Sequence, residues 1–183
     1  MKLADRIILS LMRELRSRNH EFVLPNFYVG DWECDVYSIL KSGYTEEYEI
    51  KITVADYKKD FEKAAHTYDW RTQARSLSNK HMLIKQGKRA NRFYFVVPEG
   101  LIKPEDVPEY AGLYYARPNK EFSRGRSVWL QQVKAPRLLH KNKIDLTGNK
   151  PIHQIAQRCY SRYIDLFWRW DGEHPFPEEG KNN

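Results

Sequence analysis

Apolar and polar residues fall in blocks along this chain, and each block has its own period. Leu3, Ile7, Ile8, Leu11, Met12 and Leu15 recur every three or four residues, which predicts a helix over 2–18 with one apolar face. Asp5, Arg13, Glu14, Arg16 and Arg18 lie on its polar side. Residues 28–40 read as a first strand, with Asp31, Glu33 and Asp35 on one face and Trp32, Cys34 and Val36 on the other. Lys41-Ser42-Gly43 signals a turn, and 47–52 a second strand. On that strand Glu49 and Lys51 share one face, Ile50 and Ile52 the opposite one; Glu46 and Glu47 are expected at the turn, in solvent.

Downstream, Asp56 is expected to cap a helix starting at Tyr57. Neither Gly nor Pro occurs from 57 to 86, so helix is expected to continue, as a basic helical insertion over about 62–90 broken near Asp69 or around 76–79. Arg92 to Val97 is an apolar run closed by Pro98 and predicts a buried strand; 112–116 predicts a second, and 127–133 an edge strand. Ile152, Ile155, Ala156, Cys159, Tyr163, Phe167 and Trp170 form a stripe on a helix over 150–170, with Pro151 in its first turn. The pattern is α/β: one domain over 1–171, then a flexible tail over 172–183.

Composition narrows the class. The 183 residues are 41% hydrophobic and 30% charged, enough for a real core, and no apolar run reaches the roughly 20 residues that span a bilayer. The first residues are too polar for a signal peptide. Cys34 and Cys159 form no C-x-x-C and read as free thiols of a reducing compartment, so a cytoplasmic location is expected. Six His show no H-E-x-x-H, which sets zinc aside. The net charge of +7 is concentrated: residues 57–92 hold ten Lys or Arg against three Asp or Glu, and the rest of the chain balances. Such a local excess favours a polyanion partner, although a solvated basic helix face has the same composition. Lys58, Lys59, Arg71, Arg75, Lys80, His81 and Lys85 are the candidate backbone contacts; Trp70 could stack on a base, although ordinary core packing accounts for it better.

The chemistry converges on the turn at 41–43. A hairpin there sets Asp35 beside Glu49, with Lys51 on the same face. Two adjacent carboxylates repel unless a cation relieves them, and hard oxygen ligands suit Mg²⁺ or Mn²⁺. An ammonium beside that ion can hold a phosphate or orient an attacking water, which is the equipment of phosphodiester hydrolysis. An E-x-K triplet alone also arises on the solvent face of any half-buried strand.

The pattern Asp35 with Glu49-Ile50-Lys51 resembles the PD-(D/E)XK nuclease superfamily. Asp56-Tyr57-Lys58-Lys59-Asp60-Phe61, then Asn91-Arg92-Phe93-Tyr94-Phe95-Val96-Val97-Pro98, then Tyr110-Ala111-Gly112-Leu113-Tyr114-Tyr115 follow in an order similar to its MmcB-like DNA repair branch, over roughly residues 25–140. Cys34 stands before the Asp where Pro is usual, and a longer basic stretch separates Phe61 from Arg92. The resemblance implies a restriction-endonuclease-like core, a central mixed sheet flanked by helices. It implies a metal-dependent nuclease acting on DNA, in repair, recombination or phage DNA processing. Asp35, Glu49 and the backbone carbonyl of Ile50 would hold Mg²⁺ (or Mn²⁺), and Lys51 would position water or phosphate. Glu14, on the helix before the core, and Glu33 are further candidate ligands. Cutting both strands usually needs two active sites, which a homodimer would supply; the sequence leaves the oligomeric state open. The alternative from another class is a catalytically inactive DNA-binding module on the same fold.

Overall fold

A computed structural model describes residues 2–29, 31–69, 74–119, 128–148, 152–161 and 164, without the side chains of 65–69 and 74–76. The chain divides into two compact units, residues 1–143 and 144–183. In the second, 152–161 are helical, inside the helix expected over 150–170; the expected tail over 172–183 lies outside the described residues. The sheet belongs to the first unit, and among the described residues its last strand ends at residue 134.

That unit is α/β. Helix α1 (Leu3–Arg16) is followed by β1 (His20–Val29), β2 (Trp32–Leu40), β3 (Thr45–Ile50), α2 (Val54–Asp60), β4 (Ala64–Asp69), β5 (Ala74–Asn79), α3 (Lys80–Lys85), β6 (Arg92–Pro98), a 3₁₀ turn (Pro104–Asp106), β7 (Ala111–Pro118) and β8 (Val128–Lys134). Six strands form one mixed sheet in the order β1-β2-β3-β6-β7-β8; β4 and β5 form a separate two-stranded ribbon. The β3–β6 and β6–β7 pairs are parallel, the others antiparallel. The expected central mixed sheet flanked by helices is therefore present. Among the described residues no helix is long and apolar enough to cross a membrane.

Each face of the sheet has its own core. Ile7, Leu11 and Leu15 of α1 pack with Val36, Tyr48, Ile50, Tyr94, Val96 and Tyr114. On the other face Tyr57 of α2 and Ile84 of α3 pack with Phe93, Phe95, Val97, Ala111 and Leu113. Period-2 alternation sends the odd-numbered residues of β3 and β6 to this second face. Gly112 permits close packing in the first core: an added Cβ would sit 2.5 Å from a ring carbon of Tyr94.

Four expectations are corrected. The strand expected over 28–40 is a hairpin, β1 and β2, in which Val29 faces Trp32. The helix expected from Tyr57 is α2; Thr53 caps it, its hydroxyl accepting from the Asp56 N–H at 3.1 Å, and Asp56 lies in the first turn. The helical insertion expected over 62–90 is instead the β4–β5 ribbon followed by the short α3, with Ala64 paired to Asn79 and Asp69 to Ala74. Missing Gly and Pro permit a helix without requiring one, and local pairing supplied the alternative. Glu46 and Glu47, expected in solvent, are buried, because β3 lies between β2 and β6 and both its faces are covered.

Candidate active site

The candidate site forms where β2 parts from β3. Their pairing runs from Ile39 opposite Thr45 to Val36 opposite Tyr48. One step further, the Ile50 N–H donates to Asp35 Oδ2 at 2.6 Å. The turn that sets this register contains Gly43 at φ 83°, a left-handed conformation suited to glycine.

On the second face Glu49 lies beside Phe95 and is 2% exposed. Its two oxygens each face a lysine. Lys51 Nζ donates to Oε2 at 3.0 Å, and Lys80 Nζ, fully buried at the start of α3, donates to Oε1. Both lysines meet Asp60 at the end of α2: Lys51 Nζ is 2.8 Å from Oδ1 and Lys80 Nζ 3.6 Å from Oδ2. Glu49, Lys51, Asp60 and Lys80 therefore close a ring of alternating charge. Lys63 reaches the same group from outside, 2.6 Å from Asp60 Oδ1 and 3.8 Å from Glu49 Oε2. Beneath the ring Arg89 binds Glu47 through two nitrogens, at 2.7 and 3.1 Å.

Local structure places each member. Asn79 Oδ1 accepts from the His81 and Met82 N–H groups and caps α3, while its Nδ2 donates to the Phe61 carbonyl at 2.9 Å. That ties the start of α3, with Lys80, to the end of α2, with Asp60. His81 then lies against Phe61, ring centroids 4.4 Å apart. Its Nε2 is 2.8 Å from Asp60 Oδ2 and its Nδ1 2.8 Å from the Tyr110 hydroxyl.

The electrostatics follow from burial and neighbours. Burial, then the adjacent Glu49, push Asp35 up to about 6, and the Ile50 N–H only partly offsets them. Burial alone would lower the Lys51 ammonium, but Glu49 and Asp60 outweigh it and hold it above its usual value. Burial alone would raise Asp60; the His81 hydrogen bond together with Lys80 and Lys51 holds it far below the usual carboxylate range. A cleft of about 420 Å³ lined by Asp56, Lys59, Asp60, Glu62 and Lys63 opens beside the ring. Asp56 Oδ1 is 4.0 Å from Lys51 Nζ, so three carboxylates, of Glu49, Asp60 and Asp56, surround this ammonium.

The residues suit a hard divalent cation in part. Asp35 stays unrelieved beside Glu49, the condition a cation corrects, while Glu49 already holds two ammonium groups. Among the described residues no three or more His, Cys, Asp or Glu side chains are grouped so that they could hold a metal ion. Two carboxylates with the Ile50 carbonyl would leave the remaining positions to water and phosphate oxygens, the usual state of Mg²⁺.

The fold thus brings together Asp35, Glu49 and Lys51. It does not bring Glu14: α1 packs on the opposite face, and the Glu14 carboxylate is bonded to Arg18. Glu33 is exposed. Lys80 and His81, expected on the DNA, are buried and bind acids instead. Lys58, Lys59 and Lys85 are exposed; the Lys85 ammonium lies over the Tyr110 ring, 5.5 Å from its centroid. Trp70 and Arg71 lie outside the described residues, as does the side chain of Arg75. Asp60, Lys80 as a partner of Glu49, and the Glu47–Arg89 pair were missed. One signal could have found them: Thr45, Glu47 and Glu49 alternate on one face of a strand whose other face is apolar, and a central strand buries both.

No family model and no curated protein matches the chain. A solved structure is similar: SPO1766 from Silicibacter pomeroyi, a protein of unknown function, superposes with a TM-score of 0.57 over 97% of this chain and 99% of its own, at 16% identity. At that identity the likeness extends to the fold alone.

Proposed function

We propose that the protein is a metal-dependent nuclease that hydrolyses DNA phosphodiester bonds at Asp35, Glu49 and Lys51. The observation that carries this reading is the junction of β2 and β3, where Asp35 stands beside Glu49 with its proton affinity raised, and Glu49 bonds Lys51. Asp35, Glu49 and the Ile50 carbonyl would hold Mg²⁺, which when bound supplies charge neutralisation at the phosphate. Lys51 lies beside Asp60 and Asp56, two of the residues that line the cleft, and its ammonium could there bind a phosphate oxygen or orient water. Lys58, Lys59 and Lys85 offer exposed charge for the DNA backbone.

Plasmid and single-stranded DNA incubated in Mg²⁺ or Mn²⁺, with and without chelator, test the proposal. Chelator-sensitive cleavage is expected. Lys51→Ala should lower the rate by roughly a hundredfold or more while DNA affinity stays within about twofold; unchanged cleavage would remove the proposed role. A second reading, DNA binding without cleavage, draws on the two ammonium groups already bonded to Glu49. Binding that is salt-dependent with no cutting in either metal would favour it.

A further inference from the structure

We infer that Asp60 is a positioning residue for Lys51, held from behind by His81 and Tyr110, so that the proposed site depends on the last turn of α2. The inference rests on the nuclease reading for its catalytic meaning, and on side-chain geometry for its placement. Lys51 stands just past the end of β3, and its side chain could adopt many rotamers. Two carboxylates hold it: it donates to Glu49 Oε2 at 3.0 Å and forms an ion pair with Asp60 Oδ1 at 2.8 Å. Glu49 alone would leave the ammonium free to swing about that contact; the second carboxylate, from a different element, limits the freedom.

Asp60 is itself held. Its Oδ2 lies 2.8 Å from His81 Nε2, and His81 Nδ1 lies 2.8 Å from the Tyr110 hydroxyl. An ionised Asp60 only accepts, so Nε2 carries the proton. On the other side of the ring Nδ1 faces the Tyr110 hydroxyl, which can donate or accept there. The rings of Phe61 and Phe95 fix the plane of that imidazole. The chain Tyr110–His81–Asp60–Lys51 thus runs from the loop before β7 to the proposed site. Asp60 also faces Lys80, so both lysines on Glu49 refer back to one carboxylate.

The test uses the full chain with Asp60→Asn, Asp60→Glu and Tyr110→Phe variants. Two readouts are taken: the rate at which a small amine-acylating reagent labels each lysine, resolved by mass spectrometry, and single-turnover DNA cleavage. In Asp60→Asn, Lys51 should label about fivefold faster or more, while exposed Lys2 and Lys103 stay unchanged. Cleavage should fall about a hundredfold with KM little altered, the scale of a misplaced catalytic group. Asp60→Glu should restore part of both. Tyr110→Phe keeps the ring and loses only the hydroxyl; Lys51 labelling should rise about twofold, and the His81 nitrogen resonances should shift. If Asp60→Asn does not fold, Tyr110→Phe decides alone. Unchanged Lys51 labelling in the folded variants overturns the inference, as does cleavage equal to wild type in Asp60→Asn. If the wild type cuts no DNA, the nuclease reading fails while the labelling still decides what holds Lys51.

Discussion

Strand β3 has two sides, and they are stabilised by different physics. Toward α1 it presents Tyr48 and Ile50, which pack with Leu11, Tyr94 and Val96; the Tyr48 and Tyr94 rings stack with centroids 4.8 Å apart. The one acid there, Glu46, accepts from the Tyr48 hydroxyl at 2.6 Å and pairs with Arg92. Toward α2 and α3 the same strand presents Glu47 and Glu49, equally buried, amid Arg89, Lys51 and Lys80. The first side gains from removing apolar area from water. The second begins with a desolvation cost and recovers it through complementary charges and their hydrogen bonds. A fold optimised only for stability has little reason to bury such a set. Buried charge beside a cleft, with one carboxyl group pushed up to about 6, is the arrangement the proposed site would use.

Substitutions on the two sides of β3 should separate these two sources of stability. Glu47→Ala should have the largest effect, because it strands Arg89 without its two-point partner; a loss of about 3–5 kcal/mol in urea unfolding is expected. A double replacement, Glu47→Leu with Arg89→Met, should recover most of that loss. If Glu47→Ala costs less than about 1 kcal/mol, the charged face is not interdependent. Leu11→Ala on the α1 side should cost about 2–4 kcal/mol by the same measurement, set by the cavity left among Tyr48, Tyr94 and Val96.

Asp35→Asn should have a smaller and opposite effect that depends on pH. Folded Asp35 titrates at about 6, above the roughly 3.9 of an unfolded aspartate. Between those values the folded state binds more protons, so stability falls as pH rises through that window. Asn cannot ionise yet still accepts from the Ile50 N–H. It should therefore stabilise the protein at pH 7.5 by on the order of 1–2 kcal/mol and make little difference near pH 4. Equal effects at both pH values would show that Asp35 is not destabilised by its neighbours. Added Mg²⁺ should narrow the gap by relieving the ionised wild type. Smallest, Thr53→Ala removes the α2 cap and should cost about 1 kcal/mol in thermal unfolding.

Much of this architecture was legible. The α1 stripe, the buried β6 run, the edge position of β8 and the adjacency of Asp35, Glu49 and Lys51 follow from periodicity and one turn. Segment 57–92 was misread because its two signals conflict. Its charge excess suggested a surface, yet Lys80 and Arg89 serve to neutralise Glu49 and Glu47, which lie some thirty to forty positions earlier. A charge tally cannot separate a lysine facing DNA from one facing a buried carboxylate.

By itself the sequence determined which residues alternate, where β3 turns back on β2, and that one carboxylate pair and a lysine fall on a common face, because these depend on backbone geometry over a few residues. Only the tertiary structure decided that Asp60 and Lys80 complete the ring around Glu49, that Glu14 is cut off on the far side of the sheet, and that His81 joins Asp60 to Tyr110. Those outcomes depend on which face each helix covers. That is settled by the burial of two whole cores, not by any local pattern.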